Sequence, residues 1–141
     1  CAFSILGVKY KREYFQQIGL FGRLSKIANN ILIDVGHNKL AAEAISKELK
    51  GKVVTLIYNT YEDKDYFEIL KILSSIIKKV EIISVCEKRI VEKELLIDAL
   101  NQLNIEYEDF KHIDKDEEYL VFGSFSVVET FLKSYFKAPV L

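Results

Sequence analysis

Ile31-Leu32-Ile33-Asp34-Val35-Gly36-His37-Asn38, running into Lys39-Leu40-Ala41-Ala42-Glu43-Ala44-Ile45, is the stretch on which the fold turns. Four apolar residues surround one carboxylate, a glycine breaks the run, and Leu40, Ala41, Ala44, Ile45 and Leu49 continue at helical spacing. A short β-branched run bounded by breakers reads as a buried strand, and the stripe behind it as an amphipathic helix. The alternation recurs downstream. Val53 to Tyr58, Glu81 to Val85 and Tyr119 to Phe122 read as further buried strands. Helical stripes stand between and after them: Phe67, Leu70, Leu73, Ile77 and Val80; then Leu95, Leu96, Ala99, Leu100 and Leu103 behind an acidic start at Glu92 and Glu94; then Val127 to Phe136, with Pro139 beyond. Strand, helix, strand, helix is the signature of βαβ units, so the expected class is α/β, a mostly parallel sheet with helices on both faces.

Three smaller expectations complete the outline. Residues 24–35 read as a hairpin turning at Ala28-Asn29-Asn30, since asparagine tolerates the positive φ that tight turns need. Ile105 to Phe110 stands too close to Tyr119 for an intervening helix and reads as an edge or antiparallel strand. The first twenty residues have the spacing of an amphipathic helix ending near Gly19.

The 141 residues are 50% hydrophobic and 29% charged, enough apolar content for one packed domain with no repeat or low-complexity linker. Twenty basic against 21 acidic side chains leave a net charge of -1, with no bulk attraction for nucleic acid or an anionic membrane. No apolar run approaches the roughly 18 residues that suggest a membrane span, and no targeting signal is legible, so a cytoplasmic protein is expected. Two cysteines are too few for a disulfide framework, and two histidines for most metal cages. The chain opens on Cys1 and contains no methionine, so its first residue is not an initiator and a fragment of a longer polypeptide is expected.

In an open parallel sheet, ligands bind beyond the carboxyl ends of the strands. The polar segments expected there are Gly36-His37-Asn38, residues 59–65, Cys86-Glu87-Lys88-Arg89, and Gly123-Ser124-Phe125-Ser126. Asp34 must accept hydrogen bonds to offset its desolvation, either from a sugar hydroxyl pair or from the amides of its own turn. His37 suits a phosphate contact, proton transfer or a plain surface position, and Asn38 suits a helix N-cap. Asp63-Lys64-Asp65 forms an acidic helix entry, explained by capping or by a substrate role. Ser124 suits a carboxylate or phosphate at a helix N-terminus, or a cap. Arg23 suits a bidentate phosphate contact or solvent. The six glycines make neither GxxxxGK[ST] nor GxGxxG, so a complete nucleotide cradle is missing. Asp34, His37 and Ser124 do not make a hydrolytic triad, because no nucleophile elbow surrounds the serine.

Taken in order, Phe21-Gly22-Arg23-Leu24, Ile33 to Asn38, Asp63-Lys64-Asp65 and Val121 to Phe125 resemble the C-terminal domain of folylpolyglutamate synthase and dihydrofolate synthase, in the Mur ligase superfamily. The family pattern runs PGRxE, DGAHN followed by P, DKD, and GSF; here Phe21, Ser25, Val35-Gly36 and Lys39 depart from it. The resemblance implies a Rossmann-like C-terminal domain that closes over an N-terminal ATPase domain carrying the phosphate loop. It implies an ATP- and Mg2+-dependent ligase joining L-glutamate to folate or dihydropteroate through an acyl phosphate. The resemblance implies that Arg23 contacts ATP phosphates, Asp34 the ribose, and His37, with Asn38 beside it, the phosphate region or the reacting end of the cleft, Arg23 and His37 being the catalytic residues. Ser124 and Asp65 would serve the glutamate. The competing expectations are a Mur-type cell-wall amino-acid ligase and a free-standing α/β nucleotide- or protein-binding module.

Overall fold

A computed structural model describes residues 24–137. The expected helix over the first twenty residues and the Arg23 assignment lie outside the described residues. Ten elements follow in chain order: β1 (Ser25–Ala28), β2 (Ile31–Asp34), α1 (Lys39–Glu48), β3 (Val54–Tyr58), α2 (Tyr66–Leu73), β4 (Ile77–Ile82), α3 (Lys93–Gln102), β5 (Tyr107–Asp109), β6 (Tyr119–Phe122) and α4 (Phe125–Lys137). They form one six-stranded sheet in the order β1-β2-β6-β3-β4-β5. Only β1 runs antiparallel; β2, β6, β3, β4 and β5 are mutually parallel, as the α/β reading expects.

The central strands β3 and β6 are buried at every position, which explains why they read as continuous apolar runs instead of alternating ones. One face of the sheet, with Leu56, Tyr58, Leu120 and Phe122, is covered by Ala42 and Ile45 of α1, Ile69, Leu70 and Leu73 of α2, and Leu96 and Leu100 of α3. The other, with Ile31, Ile33, Ile57 and Val121, is covered by Val127, Val128, Phe131 and Leu132 of α4.

Several expectations change in detail. The stripe through Phe67, Leu70 and Leu73 stops at Leu73, because Ser74 turns back on Lys71 and Ile77 opens β4. Ile77 and Val80 are therefore strand residues, and β4 ends at Ile82 instead of reaching Val85. Their 3.6-residue spacing from Leu73 coincides with a change of element, which a periodicity test does not detect. The hairpin forms with Asn29-Asn30 at its turn, but neither asparagine has positive φ. A register shift between Lys26 and Ala28 absorbs the mismatch instead. Asn30 is held from outside the hairpin, its Nδ2 donating to the carbonyls of Glu117 at 2.9 Å and Asp114 at 3.2 Å. β5 is an edge strand as expected, though parallel to β4, with all three side chains exposed. The chain then crosses back to the middle of the sheet without a helix, and Phe110 and Ile113 pack onto the α4 face.

Candidate functional site

Parallel pairing puts every strand-end loop on one edge. Asp34 faces Phe122 in register, so the turns that follow, Val35 to Asn38 and Gly123 to Ser126, leave the sheet side by side. Tyr58 also faces Phe122, which places Asn59 next to Gly123.

Asp34 is buried, and both its oxygens receive backbone protons: Gly36 N–H donates to Oδ1 at 2.7 Å and Leu24 N–H to Oδ2 at 3.3 Å. The carboxylate thus binds its own turn, one of the two expected uses. It lines an open cleft of about 760 Å³ together with Leu24, Gly36, His37, Leu40 and Ala44. Gly36 is demanded by space. A Cβ there would stand 2.5 Å from the Ala41 Cβ and 2.9 Å from Asp34 Oδ1, so the glycine lets α1 start directly against the strand end. That accounts for Val35-Gly36 in this chain. His37 is exposed at the mouth. Asn38 is the N-cap of α1, as expected, with Oδ1 accepting from Ala41 N–H at 2.9 Å.

Ser124 is buried and caps α4, its Oγ accepting from Val127 N–H at 3.2 Å. The preceding Gly123 has φ +141° and lies against the Asn59 carbonyl, where a Cβ would come within 2.0 Å. Asn59, which the sequence reading did not single out, is the joint of this edge. Its Nδ2 donates to the Ile83 carbonyl and its Oδ1 accepts from Thr60 N–H, both at 2.8 Å. A polar residue closing a five-residue apolar strand was the available signal.

Asp65 occupies the N-cap position of α2 but its side chain makes no capping bond, so the capping reading does not hold for it. Its carboxylate lies 3.6 Å from Lys39 Nζ instead, an exposed contact joining the loop after β3 to the start of α1. The structure therefore gathers Asp34, His37, Asn38, Asp65 and Ser124 along one edge. Among the described residues, no group of three or more His, Cys, Asp or Glu side chains is placed to hold a metal, and no helix is long and apolar enough to cross a membrane.

The sheet and its strand-end cleft define a Rossmann-like α/β domain. Comparison with solved structures takes the likeness further: the chain is similar to folylpolyglutamate synthases in fold and, in one case, clearly in sequence. With the folylpolyglutamate synthetase of Helicobacter pylori it shares 33% identity over 96% of its length at a TM-score of 0.80. It covers 45% of that chain, so it spans less than half of the relative. The folylpolyglutamate synthase of Thermotoga maritima aligns over 85% of this chain and 31% of its own, at 20% identity and a TM-score of 0.71. Escherichia coli FolC in complex with DHPP and ADP aligns over 80% of this chain and 30% of its own, at 22% identity and 0.68. At these lower identities the likeness is one of fold. No protein-family model matches the chain, and no curated protein does.

Proposed function

We propose that this chain is the C-terminal domain of an ATP-dependent ligase that adds L-glutamate to folate or dihydropteroate. The observation that carries the reading is 33% identity over 96% of the chain to a folylpolyglutamate synthetase, with Asp34, His37 and Ser124 on one strand-end edge. In the proposed reaction, the γ-phosphoryl of ATP passes to the substrate carboxylate, leaving ADP. The glutamate α-amine then attacks the acyl carbon, phosphate departs, and the amine loses a proton. An N-terminal ATPase domain would supply the phosphate loop that this chain lacks, and would be the partner over which this edge closes.

The residues present fit a nucleotide at one end of the edge. Asp34 is a carboxylate at the end of β2 that lines the cleft, and a carboxylate there suits ribose hydroxyls. His37 at the mouth would meet the phosphates, with Arg23 neutralising their charge. Asn38 keeps α1 and its N-terminal amides aimed there. Ser124, at the N-terminus of α4, would receive the glutamate α-carboxylate, and Asp65 would stand beside it. The described residues do not fit a metal cage, so Mg2+ would enter with ATP and be held elsewhere. The proposed setting is the cytoplasm.

The test is ligase turnover by the full-length polypeptide carrying Asp34→Asn or His37→Ala. The asparagine keeps one acceptor for the turn, which separates loss of function from loss of fold. A fall of about two orders of magnitude in kcat/KM, the scale of a misplaced positioning group, is expected for each. Unchanged turnover in both would refute the site.

A further inference from the structure

Arg89 stands apart from the residues assigned so far, two strands away from Ser124 on the same edge. The loops after β3 and β4 are joined there as a short antiparallel bridge at Tyr61 and Ile90. Glu62 N–H donates to the Arg89 carbonyl at 2.7 Å, and Val91 N–H to the Thr60 carbonyl at 2.9 Å. Within that frame the Tyr61 hydroxyl lies 2.6 Å from Ser126 Oγ and donates to Glu87 Oε1 at 3.4 Å. A phenol has one proton, so when Tyr61 donates to Glu87, the bond from Ser126 must run toward the phenol oxygen. Tyr61 thereby ties three strand-end loops together, those after β3, β4 and β6. The Arg89 guanidinium lies over its ring, 4.8 Å from the centroid, and makes no ion pair among the described residues.

We propose that Arg89, held on the ring of Tyr61, binds the side-chain carboxylate of the acidic amino-acid substrate; this rests on the ligase reading above. A guanidinium offers a bidentate fork that matches a carboxylate, and stacking on a fixed ring reduces the freedom lost on binding. Position selects the ligand. The loop after β4 is three strand spacings, about 14 Å, from the β2 end where Asp34 would hold the nucleotide. It is two spacings, about 10 Å, from Ser124, a gap that one small dicarboxylate and the long arginine arm can span. Charge selects as well: the Glu87 carboxylate accepts from the hydroxyl of the same tyrosine whose ring carries the guanidinium, and a negative group nearby disfavours a polyphosphate more than a single carboxylate. Tyr61 is the positioning residue and Arg89 the specificity residue.

The test uses the full-length polypeptide with Arg89→Ala, Arg89→Lys, Tyr61→Phe and Tyr61→Ala. Steady-state kinetics are taken against L-glutamate, ATP and the pterin substrate, with L-glutamine as the neutral isostere. Arg89→Ala should raise the KM for glutamate about tenfold or more, the scale of a lost charge-assisted bond, while the KM for ATP stays within about twofold. Preference for glutamate over glutamine should fall in parallel. Arg89→Lys should be intermediate, and Tyr61→Phe, which keeps the ring, should cost less than Tyr61→Ala. An unchanged KM for glutamate, or a raised KM for ATP instead, overturns the assignment. If the wild-type polypeptide shows no ligase turnover, the ligase reading fails, and calorimetric titration of L-glutamate then decides this one. Binding lost in Arg89→Ala upholds the arginine, and no binding to either protein overturns it.

Discussion

Three glycine-to-alanine variants, two of them at the candidate site, separate backbone strain from close contact. At Gly51, φ is +89° and nothing lies within 4 Å of an added Cβ, so Gly51→Ala isolates the strain of a left-handed conformation. That costs about 1 kcal/mol. At Gly36 the backbone is not left-handed, but the Ala41 Cβ would lie 2.5 Å away, so Gly36→Ala isolates the contact, at about 1–3 kcal/mol. Gly123 combines the two, with φ +141° and the Asn59 carbonyl oxygen 2.0 Å from the added Cβ. Heavy atoms rest at roughly 3.5 Å, so the ends of β3 and β6 would have to part by more than about 1 Å. That movement also strains the Asn59 bonds to Ile83 and Thr60. Strain of about 1–3 kcal/mol and overpacking of about 1–3 kcal/mol give a working figure of about 3–5 kcal/mol for Gly123→Ala. Urea unfolding followed by circular dichroism reads this directly. With m of about 2 kcal/mol/M, the midpoint should fall by about 1.5–2.5 M in Gly123→Ala and about 0.5 M in Gly51→Ala. A Gly123→Ala variant no less stable than Gly51→Ala would refute the packing argument for the β6 turn.

Other consequences follow from burial and charge. Phe122→Ala removes a fully buried ring stacked on Tyr58 at 6.2 Å, and should cost about 3–5 kcal/mol in the same unfolding assay. Glu81 is buried on β4, opposite Glu108, with Lys79 bridging both carboxylates. Burial raises the Glu81 pKa against the opposing pull of Lys79, so its stabilising contribution is complete below the ordinary carboxylate range and is lost as pH rises through the raised pKa. Glu81→Gln should therefore gain stability relative to wild type between about pH 4 and 7, and a difference that shrinks over that range would contradict the burial argument. Lys39→Ala breaks only an exposed pair, and should change stability by less than about 0.5 kcal/mol in thermal melts.

What the sequence determined by itself was the class of fold and the place of its central strands. The runs at Val54–Tyr58 and Tyr119–Phe122 are apolar at nearly every position because those strands are buried on both faces, a property of composition alone. The cap at Asn38 and the stripe through α1 are equally local, since a capping bond spans three residues and a helix turn four. The β4 boundary was not legible, because Ile77 and Val80 fit a helical period and a strand alike. Neither the parallel direction of β5 nor the insertion of β6 between β2 and β3 was legible, since pairing joins residues far apart in the chain. The same reason governs the site. Residue types at Asp34, His37 and Ser124 could be read one loop at a time. That Asn59 receives the Gly123 turn, that Asp65 meets Lys39, and that Tyr61 joins three loops beneath Arg89 are matters of distance between segments, which only the tertiary structure decides.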